Sequence, residues 1–77
     1  MITVEIKAAE SARDVQESLA SGCRVIVAAE GKYSFHREIA VCRTWPEGDT
    51  TFFSEDGLGF NYGDPGYTWT IVKGRVL

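Results

Sequence analysis

The sequence predicts an α+β fold in which one short helix packs against a strongly bent, mostly antiparallel sheet of five or six strands. Three observations lead to this prediction. Residues 2–7 alternate strictly between apolar and polar side chains, as in a half-buried strand. Residues 11–22 have helical spacing between a capping serine and a glycine. The rest of the chain is a series of short β-rich runs separated by turns, so the element order is β-α-β-β-β-β-β.

The first strand and the helix have clear local signals. Three apolar residues of the strand share one face, which we expect to pack on the core: Ile2, Val4 and Ile6. Ser11 is suited to cap the helix, with Asp14 at the third helical position as a shorter variant of the capping-box acid. Gly22 is expected to end the helix, because glycine readily adopts the left-handed conformation found there.

The next two runs predict a hairpin. Residues 23–29 form a β-rich run, residues 30–32 form the turn, and residues 33–43 pair back on the first run. Apolar side chains recur at every second position of the returning strand, but Arg37 interrupts the row. This interruption predicts a bulge or bend near His36 and Arg37, or a strand that turns its face.

The C-terminal part predicts three more strands, at 50–54, 58–62 and 67–72. Asp-Gly at 56–57 is a strong hairpin signal, and the Gly-Asp-Pro-Gly segment at 63–66 favours a second turn. One helix has to cover a sheet whose edges must also be protected. A sheet that curls into an SH3-like or partly closed barrel meets both needs in so small a domain.

Composition excludes several classes of protein. The 77 residues suffice for a single domain, 1–77. The net charge is −3 and the basic residues are scattered, which disfavours direct nucleic-acid binding. We expect a cytoplasmic protein without membrane contact, because neither a signal peptide nor a membrane-spanning run is evident. Cys23 and Cys42 are expected to be reduced thiols, with a disulfide as the alternative.

The residues offer little for catalysis or metal binding. His36 is the single histidine, and no nucleophile, base and orienting group stand at a suitable spacing. The two cysteines and this histidine fall short of the four ligands that a structural zinc site needs. We therefore expect a protein that is not an enzyme and that uses no cofactor.

Residues 45–69 are unusual in composition. They hold seven of the nine aromatic residues and five acidic residues, with no Lys or Arg. One interpretation is a curled aromatic core with solvated acidic turns. The other is an interaction surface in which exposed rings act as anchors and carboxylates steer a basic partner. The candidate partner-binding residues are Trp45, Glu47, Asp49, Glu55, Asp56, Tyr62 and Asp64. Among the rings, Trp45 is expected to be the most exposed because it precedes a proline turn.

Three short segments carry a resemblance to a known family. They are the helix end and following strand at 19–25, the tryptophan turn at 43–48 and the Trp-Thr-Ile-Val strand at 69–72. Together these segments are similar to the phage anti-Thoeris proteins that sequester signalling nucleotides, and to their anti-CRISPR relatives. The resemblance implies a small binding protein that is encoded by a phage or mobile element and acts in the cytoplasm of a bacterial host cell.

Three functional hypotheses follow. The first is a non-enzymatic, anti-CRISPR-like inhibitor of a bacterial defence complex, which acts as a monomer or homodimer on a larger complex with a basic surface. The second is a protein that sequesters a signalling nucleotide, with aromatic walls stacking the base and Arg24, Arg37 or Arg43 holding the phosphates. The third is a structural or assembly protein of a phage particle.

Overall fold

The computed structural model describes residues 2–77, which form one sheet and one helix. The elements are β1 (Val4–Ala8), α1 (Ala12–Ala20), β2 (Arg24–Gly31), β3 (Phe35–Thr44), β4 (Thr50–Ser54), β5 (Gly59–Tyr62) and β6 (Tyr67–Val76). The strands form a sheet in the order β1-β6-β2-β3-β4-β5, and each neighbouring pair is antiparallel. The predicted α+β class and element order are confirmed. In the described part of the chain, no helix is long and apolar enough to cross a membrane.

Strand β6 lies between β1 and β2, although it follows both in the sequence. Both neighbours pair antiparallel with β6, so β1 and β2 run parallel to each other with α1 as their connection. The hairpins from β2 to β5 then extend the sheet one strand at a time. This topology places β1 and β5 at the two edges of the sheet.

The helix begins and ends where the sequence predicts. The Ser11 hydroxyl accepts a hydrogen bond from the Asp14 backbone N–H at 3.1 Å, and Gly22 follows the helix with φ of 85°. Val15 is fully buried, and Leu19 packs beside it on the core. The apolar stripe thus fixes α1 over the central strands β2 and β3.

The core lies between the helix and the concave side of the bent sheet. Its fully or nearly fully buried members are Val15, Val25, Val27, Ile39, Phe52 and Ile71. Beyond the helix, aromatic rings fill the concavity: Phe60 of β5 stacks on Trp69 of β6, with their ring centroids 6.1 Å apart. Hydrogen bonds do not join β5 to β6, so the sheet is not closed, but these rings bring its two distant parts together.

The predicted irregularity in β3 lies at a different place. Phe35 to Ile39 pair in regular register with β2, so the bulge expected near His36 and Arg37 is absent from that ladder. The register shift occurs instead between Ile39 and Val41, in the pairing with β4. Strand β3 has one residue more than β4 at this point, which turns the side chains that follow to the opposite faces of the sheet. The Cys42 side chain therefore packs on the core, while Val41 is 51% exposed.

The prediction for the apolar face of the first strand is wrong. Val4 and Ile6 are 53% and 69% exposed, and Ile2 before the strand is also exposed. The reason is topological: α1 covers the opposite face of the sheet, where Glu5 and Lys7 lie. In the described residues, no helix lies on the convex face of the sheet, which carries Val4 and Ile6.

Candidate functional site

Two of the acidic turns lie side by side at one end of the sheet. The β3–β4 turn, 45–49, is closed by hydrogen bonds from the Trp45 N–H to the Asp49 carbonyl and from the Gly48 N–H to the Trp45 carbonyl, both 2.8 Å. The β5–β6 turn, 63–66, follows Tyr62, which pairs with Thr50 directly after the first turn. The hairpin register therefore brings Asp49 and Asp64 together along one shallow cleft of about 270 Å³.

Trp45 is held in place beside this cleft. Its indole Nε1 donates to Thr51 Oγ1 at 2.9 Å, and that hydroxyl donates to Asn61 Oδ1 at 3.0 Å. The Arg43 guanidinium lies 4.2 Å from the centre of the indole ring. Trp45 is therefore half-buried and not the most exposed ring; Tyr33, which is 66% exposed, is far more open to solvent.

The Tyr62 ring contacts both the aromatic core and the cleft between the two turns. Its ring centroid lies 5.0 Å from that of Phe52 and 5.4 Å from that of Trp69. The side chain also borders the cleft between the two turns. A partner at this cleft can reach one edge of Tyr62, while the rest of the ring supports the fold.

Glu55 and Asp56 lie away from this end. They occupy the turn after β4, six residues beyond Asp49, which corresponds to about 20 Å along an extended strand. Asp56 accepts a hydrogen bond from the Ser54 hydroxyl, which lowers the pKa of this carboxyl below its usual value. The five acidic residues that were predicted to bind a partner therefore form two separate groups and not one continuous surface.

The surroundings of Glu55 and Asp56 contain charges of both signs. Arg24 and Arg37 line the same cleft, together with Glu38. Glu38 accepts from Arg24 Nε at 3.0 Å, and this pairing raises the pKa of the Arg24 guanidinium. This end of β4 does not form a field of a single sign.

The three arginines suggested for phosphate binding do not converge. Arg24 and Arg37 share the cleft beside Glu55, whereas Arg43 pairs with Thr51 and lies over Trp45 toward the other end of β4. A phosphate group needs several donors directed at one point. Of these three arginines, two lie at one cleft and the third lies elsewhere.

Ion pairing separates the acidic residues of this protein into two classes. Within residues 2–77, every ion pair uses a carboxylate that precedes residue 45, namely Glu5, Asp14, Glu17 or Glu38. The carboxylates of Glu47, Asp49 and Asp64 have no Lys or Arg partner in this part of the chain. Their charge is therefore directed to the solvent at the end of the sheet.

A second polar cleft was not predicted from the sequence. It lies between α1 and strands β1 and β6, with a volume of about 290 Å³. In it, Lys73 Nζ donates to Asp14 Oδ1 at 2.6 Å, which lowers the pKa of Asp14 and raises that of Lys73. Asp14 was identified only as a capping acid, because its partner is 59 residues away and no local pattern links them.

The groups that could hold a metal or form a disulfide are dispersed. In the described range, 2–77, no three His, Cys, Asp or Glu side chains converge on one point. Cys23 and Cys42 are both free thiols. Burial raises the pKa of the Cys42 thiol, whose sulfur lies 3.8 Å from the Ala12 carbonyl oxygen.

Comparison with protein-family models, with curated protein sequences and with solved structures finds no match to this chain.

Proposed function

We propose that this chain is a non-enzymatic binding protein that attaches one end of its sheet to a Lys/Arg-rich surface of a larger protein complex. We call this surface the acidic end, and it comprises Trp45, Glu47, Asp49, Tyr62 and Asp64. It retains five of the seven partner-binding residues proposed from the sequence. Glu55 and Asp56 are left out, because they lie about 20 Å away beside two arginines.

The observation that carries this proposal is the set of carboxylates without ion pairs on two adjacent turns. Glu47, Asp49 and Asp64 are all exposed, and none pairs with a described Lys or Arg. Three carboxylates outnumber the one cation here, Arg43, which lies over Trp45, and the excess of negative charge speeds the encounter with a surface of opposite sign. The fixed indole of Trp45 and the open edge of Tyr62 supply apolar contact beside these charges.

We further propose that the partner is a bacterial defence complex and that the protein is an anti-CRISPR-like inhibitor encoded by a phage or mobile element. A channel that binds nucleic acid is lined by Lys and Arg, and carboxylates presented there compete with phosphates. The source of the protein and the identity of the complex rest on the resemblance of segments 19–25, 43–48 and 69–72 to small phage anti-defence proteins. Nucleotide sequestration is less well supported, since its three arginines are divided between two places.

A capture experiment with matched variants tests this proposal. The protein carries an affinity tag and is incubated with lysate of bacteria that express a defence complex. The acidic-end variant combines Glu47→Gln, Asp49→Asn and Asp64→Asn, while the control combines Glu55→Gln and Asp56→Asn. Both variants remove carboxylates from turns of the same sheet, so a general loss of negative charge affects both.

We expect the wild type and the control to retain the complex and the acidic-end variant to bind at least tenfold more weakly. The affinity of the wild type should also fall as ionic strength rises, because salt screens exposed charges. Equal retention by the two variants would contradict the assignment of the surface. An affinity that does not change with salt would contradict the electrostatic mechanism, and retention of no complex by the wild type would overturn the proposed partner.

A further inference from the structure

The outer edge of β1 presents an unpaired row of backbone groups. On its inner side, the Leu77 N–H donates to the Thr3 carbonyl and the Ala9 N–H donates to the Ile71 carbonyl, both at 2.9 Å. The β1–β6 register is regular between these points, so odd-numbered residues of β1 bond to β6. The N–H and C=O groups of Val4, Ile6 and Ala8 consequently point away from the sheet.

The side chains of the same three residues lie on the uncovered convex face. Val4 and Ile6 are more than half exposed. Together with Ile26, Val72 and Val76, they line a broad groove of about 790 Å³ across β1, β6 and β2. Helix α1 packs on β2 and β3 from the opposite side, and within residues 2–77 no other strand pairs with this edge and no helix lies on this groove.

We propose that a second copy of this chain pairs with β1, edge to edge and antiparallel, about a two-fold axis at Ile6. In this arrangement Ile6 faces the partner subunit's Ile6, and Val4 faces the partner subunit's Ala8. Each of these pairs uses outward-pointing backbone groups on both strands, so the ladder matches the hydrogen-bonding pattern of an antiparallel sheet. The two six-stranded sheets become one continuous sheet without a free β1 edge.

The charges of β1 favour this register over its neighbours. Glu5 faces the partner subunit's Lys7, and the two-fold axis repeats this pair on the other side. These positions are non-hydrogen-bonded pairs, in which facing side chains come closest, with Cα atoms about 4.5 Å apart. A slip of two residues in one direction places Glu5 opposite Glu5, and a slip in the other direction places Lys7 opposite Lys7. A slip of one residue places the outward-pointing N–H and C=O groups of one strand opposite residues whose N–H and C=O groups already bond to β6. The two strands then cannot form a hydrogen-bonded ladder.

The proposed dimer extends the apolar groove and leaves the acidic end free. A two-fold axis perpendicular to the sheet keeps both convex faces on the same side, so the Ile6 side chains meet and the two grooves adjoin. The acidic end belongs to the turns around β4 and β5, at the other edge of the sheet from β1. A dimer would therefore carry two acidic ends, and a partner with repeated basic sites could engage both.

Charge exchange at β1 tests the pairing. The mass of the untagged protein is measured by sedimentation equilibrium over a wide range of concentrations, for the wild type, Glu5→Lys, Lys7→Glu and the double variant. We expect a dimer for the wild type and a dimer dissociation constant at least tenfold weaker for each single variant, since both place like charges opposite each other. The double variant restores opposite charges across the axis and should return to the dimer.

Two contacts of Glu5 within the chain require a separate measurement of folding. Glu5 accepts from Arg75 Nε at 3.1 Å, and its carboxylate lies 3.6 Å from Lys7 Nζ of the same strand. The double variant restores opposite charges to the Glu5–Lys7 pair within the chain as well as across the axis, so the free energy of unfolding of each variant is measured at a concentration at which it is monomeric. Ile6→Pro is a further test: it removes an outward N–H without removing a bond to β6, and it should yield a folded monomer. A monomeric wild type at every concentration, a dimeric Lys7→Glu variant or a double variant that stays monomeric would each overturn the proposal. The acidic-end variant should remain dimeric, so the failure of either proposal can be recognised independently.

Discussion

Trp69 provides a direct test of how the bent sheet is held together. Its ring contacts four others, with centroid distances of 5.4 Å to Tyr62, 6.0 Å to Tyr67, 6.1 Å to Phe60 and 6.4 Å to Phe35. Its indole N–H also donates to the Asp64 carbonyl at 3.2 Å. Because β5 and β6 share no hydrogen-bonded ladder, these contacts are expected to hold them together.

The perturbation is Trp69→Leu, which keeps an apolar side chain but removes the ring contacts. At the low end of about 0.5 kcal/mol for each aromatic pair, four pairs contribute about 2 kcal/mol. The lost hydrogen bond adds about 0.5 kcal/mol or more. We therefore expect the free energy of unfolding to fall by about 2–3 kcal/mol, and the melting temperature by roughly 10–20 °C for a domain of this size.

Trp45→Leu is the matched control, because it is the same substitution at a ring outside the core. Trp45 has one cation contact from Arg43 and one hydrogen bond to Thr51, which together correspond to a loss of about 1 kcal/mol. Urea unfolding followed by far-ultraviolet circular dichroism measures both variants, since this signal does not depend on tryptophan fluorescence. Equal destabilisation by the two substitutions, or a loss below about 0.5 kcal/mol for Trp69→Leu, would refute the role assigned to the ring cluster.

Three further predictions concern other parts of the fold. Gly31→Ala should lower the free energy of unfolding by about 1–3 kcal/mol, because the added Cβ would lie 2.3 Å from the Gly66 carbonyl oxygen, as checked by urea unfolding. Ion pairing with Lys73 lowers the pKa of Asp14 below 3.8, so its stabilising contribution is present above that pH and is lost as the pH falls through the folded-state pKa. Unfolding measured as a function of pH should show a smaller acid-induced loss for Asp14→Asn. Burial raises the pKa of Cys42 above its ordinary value, so alkylation of this thiol followed by mass spectrometry should be slow near neutral pH and should speed up on unfolding.

Each of these predictions has a control or a contradicting outcome within the chain. Gly74→Ala should be tolerated, since its nearest neighbour would be 3.6 Å away. Parallel acid-stability curves for the wild type and Asp14→Asn would show that the ion pair with Lys73 does not act. The Cys23→Ser variant isolates the Cys42 thiol for the alkylation experiment, and equal rates for native and unfolded protein would contradict its protection.

Local signals in the sequence account for most of the element order. Ser11 and Gly22 define the helix by capping, and Gly57 defines a hairpin turn, because each depends only on residues close in the chain. The alternation of Val4 and Ile6 correctly indicated a strand. It could not reveal which face α1 would cover, because that depends on the insertion of β6 between β1 and β2.

The candidate site was only partly predictable for the same reason. Asp49 and Asp64 meet because of the pairing of Thr50 with Tyr62, a register that composition does not contain. Glu55 belongs to the same acidic segment of the sequence but lies beyond the far end of β4. The composition of residues 45–69 identified the unusual segment. The register of the hairpins then places its acidic residues at two separate ends of β4.

The position of β6 has a consequence for how the chain folds. During synthesis, β6 is the last of the six described strands to emerge, yet it is the only described strand that pairs with β1. The meander from β2 to β5 can form from neighbouring segments, whereas β1 has to wait for a partner more than 60 residues away in the β1–β6 register. We expect this late step to limit the folding rate. A nascent chain stopped before β6 should expose an unpaired β1 and a free edge of β2, which makes it a substrate for chaperones and proteases.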